Sequence, residues 1–371
     1  MPSSSNLVHT ADLRVHYLQE GVGPPVVLLH GFPQTSNQWR HQLPALAEAG
    51  FAAFAPDNRG FGRTDKPGAR VSRALLADDV IRFLDAVGIE QATVVGHDWG
   101  GIIAFKAAID HPDRITRLAL LDTLCTVWAP GAVHGWWFKV DGLAEEQFGR
   151  YHREFIEVLF GGRDAAVLGT RPTSPWPIPP GDRPRPTWIT AEDLDHYVRA
   201  FSDPDAWRHA ISYYRYGLPF HRVMPDVEAA HGERFESLSE TQVGEMWLHD
   251  GGLEAHPWYA EAMDFGPDDR HKRYPHPALW LYGGWALGSP GEQGRTRVPS
   301  GNAFVDQYSR YFPDLRARAV AAGHFLGEEA PAYVNETLIA FLRDEVRRHD
   351  ELGVDERGEG SEQSGTAAHP S

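Results

Sequence analysis

The most constraining feature of this sequence is a short apolar run, Ala92 to Val95, that leads into Gly96-His97-Asp98-Trp99-Gly100 and then into a helix-like stretch. A strand, a sharp turn and a helix in this order match the G-x-S-x-G nucleophile elbow, with Asp98 in the place of the serine. The alternative is an unrelated turn, because Gly and Asp are common in turns. Other segments in the required order favour the elbow.

The aspartate at the tip of the elbow indicates the chemistry. A serine at this point serves acyl transfer, whereas a carboxylate attacks an electrophilic sp3 carbon and leaves an alkyl ester that water must hydrolyse. Asp98 is therefore the candidate nucleophile. The substrates expected for it contain an epoxide or a carbon–halogen bond.

A second apolar run, Val26 to Leu29, ends in His30-Gly31-Phe32-Pro33-Gln34 and predicts a buried strand that enters a loop. Beside a nucleophile elbow, such a loop supplies one of the two backbone N–H donors of an oxyanion hole. The predicted donors are the amides of Phe32 and Trp99. Near the end of the fold, His324 follows a strand-like run and is the candidate base.

The elbow, the oxyanion loop and the terminal histidine together resemble the α/β-hydrolase superfamily. Within it they resemble the Asp-nucleophile group of epoxide hydrolases and dehalogenases, including the fluoroacetate dehalogenases. The resemblance covers roughly residues 8 to 345. It implies an α/β-hydrolase fold, with a mostly parallel central sheet and an inserted helical cap over the site.

The pattern of apolar runs predicts the organisation of the chain. Short apolar runs separated by helical patterns favour a mainly parallel sheet with crossover helices. This alternation stops between Leu121 and Leu279, in an interval rich in Trp, Tyr, His and Pro. We therefore predict a core of residues 1–123 and 276–348, a helical cap at 124–275, and a polar, disordered tail at 349–371. The predicted strands are Leu13 to Leu18, the runs ending at Leu29, Pro56 and Val95, and Leu118 to Leu121, Leu279 to Tyr282 and Arg316 to Val320.

The acid that orients His324 is predicted to be Asp122. The strand from Leu279 leads into a segment without a carboxylate, and Asp306 lies too far along the chain. Asp122 follows the preceding strand, a placement similar to that in fluoroacetate dehalogenases and some haloalkane dehalogenases. It would accept the Nδ1 proton of His324 and leave Nε2 facing the hydrolytic water. In the alternative, Asp122 only caps a helix or forms a turn.

Two segments of the predicted cap contain candidate donors to the leaving group. Ser212-Tyr213-Tyr214-Arg215-Tyr216 resembles the tyrosine-arginine segment of epoxide hydrolase and fluoroacetate dehalogenase caps, and the match falls on Tyr214. Its phenol can hydrogen-bond or protonate an epoxide oxygen. In the other segment the candidates are His134, Trp136 and Trp137. Indole N–H groups suit an alkoxide or a halide equally. Alternatively, these aromatic side chains only pack the cap onto the core.

The departures from the dehalogenase pattern favour an epoxide substrate. Fluoroacetate dehalogenases hold the substrate carboxylate with arginines after the nucleophile, where this chain has Trp99 and Ile102. The apolar wall and long aromatic cap favour a bulky or aromatic epoxide, opened to a diol through an ester on Asp98. A hydrolytic dehalogenase of the haloalkane or haloacetate type, with the same triad, is the alternative. A non-catalytic binding protein on the same scaffold is the third hypothesis.

The composition of the chain limits the kinds of partner that we expect it to bind. The chain has 35 Lys and Arg against 51 Asp and Glu, a formal charge of −16, which argues against nucleic acid and anionic membranes. We expect a small-molecule substrate and water as partners, with no cofactor. The 19 histidines form no H-E-x-x-H pattern, so no metal site is predicted. The lone cysteine, Cys125, and the lack of a signal-like or membrane-spanning run predict a cytoplasmic protein. The sequence does not determine its oligomeric state.

Overall fold

The computed structural model describes residues 3–68, 70–123, 138, 142–160, 187–217, 269–283 and 308–344. These residues contain an eight-stranded sheet. Its strands are β1 Ser4–His9, β2 Arg14–Glu20, β3 Pro25–Leu29, β4 Ala52–Pro56, β5 Ala92–His97, β6 Ile115–Leu121, β7 Ala278–Tyr282 and β8 Leu315–Ala319.

The sheet is mainly parallel, which confirms the predicted fold class. Its strand order is β1-β2-β4-β3-β5-β6-β7-β8. The pairings β1 with β2 and β2 with β4 are antiparallel, and the remaining five are parallel. The edge strand β1 was not predicted, because its sequence is polar and most of its residues are exposed. β5 extends two residues beyond the predicted end and reaches His97.

The described helices cover both faces of the sheet. They are α1 Gln42–Glu48, α2 Arg73–Ala86, α3 Trp99–Asp110, α4 Leu143–Phe160, α5 Ala191–Ala200, α6 Pro204–Ser212, α7 Leu326–Glu329 and α8 Pro331–Leu342. Shorter turns are the 3₁₀-helices Ser36–His41 and Asp269–His271 and the π-helical Tyr213–Gly217. None of the helices in the described ranges is both long enough and apolar enough to cross a bilayer.

Strand β3 illustrates how the core is divided. Val26 and Leu28 belong to one cluster of buried side chains, while Val27 and Leu29 belong to the cluster on the opposite face. Because successive side chains of a strand point to opposite faces, a strand covered on both sides reads as a continuous apolar run. This is why the sequence of β3 predicted a buried parallel strand.

The helices α4, α5 and α6 lie in the interval assigned to the cap. Thr190 and Asp203 cap α5 and α6, each accepting a backbone N–H with its side-chain oxygen. Pro204 fits the first position of α6, where no N–H is needed. Two aromatic side chains of α4, Phe148 and Phe155, pack onto Phe32, which lies in the loop after β3. The division into core, cap and tail stays a prediction, since most of 124–275 and all of 349–371 lie outside the described residues.

Candidate active site

Asp98 alone forms the turn between β5 and α3. Its backbone has φ 49° and ψ −121°, a positive-φ conformation that non-glycine residues seldom adopt. A Cβ on Gly96 would lie 2.3 Å from the Gly100 carbonyl oxygen, and a Cβ on Gly100 would lie 2.0 Å from that of Leu29. The two flanking glycines are therefore a steric requirement. The turn places Asp98 at the carboxyl ends of β3 and β5.

The loop after β3 supplies a donor to the Asp98 carboxylate. The Phe32 N–H donates to Asp98 Oδ1 at 2.7 Å. Glycine is needed at the preceding position, because a Cβ on Gly31 would lie 2.5 Å from Asp98 Cβ. The Gly31 N–H donates to Gln38 Oε1 at 3.0 Å and so holds the loop in place. The other predicted donor, the amide of Trp99, belongs to the first residue of α3.

His324 and Asp122 lie on the other side of Asp98. His324 Nδ1 lies 2.8 Å from Asp122 Oδ2, and its Nε2 lies 3.6 Å from Asp98 Oδ2. Asp122 is buried at the end of β6, where its Oδ1 accepts the Gly283 N–H at 2.9 Å. A carboxylate fixed in this way sets the orientation of the imidazole. The alternative carboxylate, Asp306, lies outside the described residues.

The two carboxylates control the charge of His324. Burial alone would lower the pKa of His324, but the hydrogen bonds and charges of Asp122 and Asp98 raise it to about 10. Burial likewise opposes the ionisation of Asp98, yet the hydrogen bonds and charges from His324, with smaller help from His97 and the Phe32 N–H, lower its pKa. At neutral pH the ligand-free site therefore holds an Asp98 carboxylate beside a protonated His324.

Tyr214 faces this charge pair from the predicted cap. It is 1% exposed, and its ring centroid lies 5.2 Å from that of Trp99 and 5.5 Å from that of Phe32. Burial and the charge of Asp98 raise the pKa of Tyr214 well above its ordinary value. The phenol therefore keeps its proton at neutral pH and can donate it.

An aromatic cluster adjoins the oxyanion loop. Its centre is the Phe32 ring, whose centroid lies within about 6 Å of the other rings of the cluster. These rings belong to Phe138, Phe148, Phe155 and Phe201. This cluster was not predicted from the sequence, although Phe138 directly follows the predicted pair Trp136 and Trp137. Those two tryptophans and His134 lie outside the described residues.

A buried polar junction borders the site and was also overlooked. The Glu328 side chain is 1% exposed and pairs with Arg40. It also accepts the Tyr197 hydroxyl at 3.0 Å and the Gln34 side-chain amide. The junction thus joins α5, the oxyanion loop and α7. The sequence signal for this junction is a carboxylate four residues after His324.

The fold and the elbow define an α/β hydrolase. Residues 24–157 match the family model described as alpha/beta hydrolase fold. In the described ranges, no group of three or more His, Cys, Asp or Glu side chains is placed to hold a metal ion.

Similar proteins of known activity identify the family within the α/β hydrolases. The chain is 35% identical over 230 residues to epoxide hydrolase 3 of Siraitia grosvenorii, covering 56% of this chain and 71% of that protein. It is 33% identical over 227 residues to epoxide hydrolase A of Mycobacterium tuberculosis, covering 54% and 70%. The solved structure of an epoxide hydrolase from an endophytic Streptomyces superimposes with a TM-score of 0.64 at 26% identity, covering 92% of this chain and 95% of that chain. The chain belongs to the epoxide hydrolase family of α/β hydrolases.

Proposed function

We propose that this enzyme opens a bulky, apolar epoxide to a diol through a covalent ester on Asp98. The observation that carries the proposal is the arrangement of the Asp98 carboxylate, with Oδ1 held by the Phe32 N–H and Oδ2 3.6 Å from His324 Nε2. One oxygen is fixed by a donor and the other faces the base. The epoxide hydrolases among its relatives support the substrate class.

In the first step, the free carboxylate oxygen of Asp98 attacks an epoxide carbon. The electron pair of the breaking C–O bond passes to the ring oxygen, which takes the proton of Tyr214. The products are a neutral alkyl ester and a tyrosinate. Because the ester carries no charge, His324 loses one of the two carboxylates that raise its pKa. His324 can then donate its proton to the tyrosinate of Tyr214 and become neutral.

In the second step, neutral His324 removes a proton from water, and the hydroxide attacks the carbonyl carbon of the Asp98 ester. The N–H groups of Phe32 and Trp99 stabilise the tetrahedral oxyanion. The intermediate collapses as the bond between the Asp98 carbonyl carbon and the alkyl oxygen breaks, and the leaving alkoxide takes the proton of the carboxylic acid that forms on Asp98. The diol is released, and Asp98 is again a carboxylate with one oxygen derived from water. His324 keeps the proton from water, so the site is again an Asp98 carboxylate beside a protonated histidine.

The apolar substrate class rests on the aromatic cluster. The rings of Phe138 and Tyr214 pack against the ring of Phe32, whose backbone N–H donates to Asp98. Such an apolar surface binds aromatic or polycyclic groups in preference to charged ones. The helical cap over residues 124–275 and a cytoplasmic location, expected from the single cysteine, are parts of the same proposal.

The mechanism is tested by a single turnover in water enriched in ¹⁸O. A styrene-type epoxide, an epoxyquinone and a haloalkane are supplied in turn, and diol and halide are measured. We expect diol from an epoxide and the label on Asp98. Label in the diol with none on the enzyme would mean direct attack by water. Halide release faster than diol formation would favour the dehalogenase alternative.

His324→Gln supplies the complementary test. The variant should still form the ester but fail to hydrolyse it, so the intact mass should increase by that of the substrate. Asp98→Ala is the matched control and should gain no mass. Full turnover by His324→Gln would show that another group activates water.

A further inference from the structure

The mechanism gives no role to His97, a buried histidine of the site. His97 ends β5, directly before the nucleophile, and is 0% exposed. Its Nε2 lies 2.8 Å from the backbone carbonyl oxygen of His324. A carbonyl oxygen only accepts hydrogen bonds, so Nε2 carries the proton. Nδ1 is buried and has no hydrogen-bond partner among the described residues.

The surroundings of His97 favour a neutral ring. Its centroid lies 4.7 Å from that of His324, and the other titratable groups that face it are Asp98 and His30. Burial and the charge of His324 lower the pKa of His97 to about 3. A neutral imidazole with a proton on Nε2 is a fixed donor throughout the range in which His324 changes its charge.

The backbone around His324 is held from two sides. On one side, the N–H groups of Gly323 and Phe325 donate to the Glu329 carboxylate at 2.6 and 2.8 Å. On the other side, His97 donates to the His324 carbonyl oxygen. This second contact ties the base directly to the residue that precedes the nucleophile.

We propose that His97 is a positioning residue for the water-activating step, holding the backbone of His324 at a fixed distance from Asp98. The proposal rests on the proposed function. The attack of Asp98 on the substrate needs no base, whereas ester hydrolysis needs His324 Nε2, a water and the ester carbon in line. A shift of His324 should therefore slow hydrolysis of the ester and leave its formation nearly unchanged.

Step-resolved kinetics test this role with two variants. His97→Phe removes the donor and keeps a ring, and His97→Gln keeps an N–H donor. We expect His97→Phe to slow ester hydrolysis about 10²-fold, the usual effect of a misplacement near 1 Å, while ester formation changes less than about threefold. Ester should accumulate in this variant, and His97→Gln should restore part of the hydrolysis rate.

The matched control is His276→Phe. His276 also places its Nε2 2.9 Å from a backbone carbonyl oxygen, that of Pro112, away from the site. It should leave both steps unchanged. Equal slowing of both steps by His97→Phe, or no slowing, would contradict the proposal.

A measurement without substrate separates this inference from the proposed function. In ¹⁵N NMR of histidine-labelled enzyme, His97 should remain the neutral Nε2–H tautomer from pH 5 to 9, and His97→Phe should shift the His324 ring signals. Titration of His97 in this range, or an Nδ1–H tautomer, would refute the positioning role. If the tautomer is as expected but no substrate gives an ester, the proposed function fails and the link between His97 and His324 stands.

Discussion

At the scale of single residues, the charge of Asp98 determines what His324 can do. While Asp98 is ionised, His324 is flanked by two carboxylates and its pKa is raised to about 10, so it cannot act as a base at neutral pH. In the proposed mechanism, formation of the ester neutralises Asp98, and Asp122 is then the charged carboxylate beside the imidazole. In that mechanism, His324 can therefore accept a proton during hydrolysis of the ester, which is the step that requires a base.

Asp122→Asn tests the orienting carboxylate. The amide has similar size but no charge, so the pKa of His324 in the ligand-free enzyme should fall below its present value of about 10, which NMR can measure. Turnover should decrease by orders of magnitude, since loss of the orienting carboxylate in a serine triad costs about 10⁴ in kcat. Near-normal turnover in a folded variant would point to another acid, and Asp306 would be tested next.

Tyr214→Phe tests the proton donor to the epoxide. Opening an epoxide leaves charge on an oxygen that stays in the product, so loss of the phenol should slow ester formation by about 10²-fold, the usual size of general acid catalysis. Any haloalkane activity should fall less, because a halide needs no proton. The control is Tyr213→Phe, which removes a phenol that donates to the Arg59 carbonyl oxygen at 2.7 Å. If both variants behave alike on an epoxide, Tyr214 is not the acid.

At the scale of elements, the site depends on how closely α3 approaches β3. The two elements contact each other through Gly100 and the Leu29 carbonyl oxygen, with no side chain between them. This contact determines where Asp98 lies relative to the Phe32 N–H. Backbone atoms cannot rotate away as a side chain can, so the spacing is rigid.

Gly100→Ala should therefore move α3 away from β3. The added Cβ would meet the Leu29 carbonyl oxygen at 2.0 Å, and overpacking of this kind costs about 1–3 kcal/mol of stability. Turnover should fall by about 10²-fold as Asp98 leaves its donor. Gly68→Ala is the control, because a Cβ there meets nothing within 4 Å. Urea unfolding and initial rates measure the two effects, and a Gly100→Ala enzyme equal to the control would refute this account.

At the scale of the whole molecule, the buried junction around Glu328 connects segments that are far apart in the sequence. Arg40 follows the oxyanion loop, Tyr197 belongs to α5, and Glu328 lies four residues after His324. Burial raises the pKa of Glu328 to about 7, although Arg40 and Tyr197 favour its charged form. The folded protein thus holds a carboxyl group whose ionisation is opposed by burial and favoured by Arg40 and Tyr197.

Arg40→Met should leave this carboxylate without a counter-charge. Removing one partner of a buried ion pair destabilises a protein by about 3–5 kcal/mol. The pKa of Glu328 is already raised above its ordinary value, so protonation favours the folded state, and the loss should grow between pH 5 and pH 8. Urea unfolding at both values measures it. The double variant Arg40→Met/Glu328→Gln should recover much of the loss, and a loss independent of pH would exclude Glu328 as its cause.

The sequence by itself determined the fold class and the candidate residues Asp98, Asp122 and His324, because local signals carry both. A strand buried on two faces reads as an apolar run, and a sharp turn at a strand end requires glycines. Only the tertiary structure brought His97 to the carbonyl of His324, Glu328 to Arg40, and the cap phenylalanines to Phe32. Glu328 and Arg40 are 288 residues apart in the chain. No periodicity or spacing in the sequence indicates such a contact. The contact depends on how the helices and strands pack together and not on the residues next to Arg40 or Glu328 in the chain.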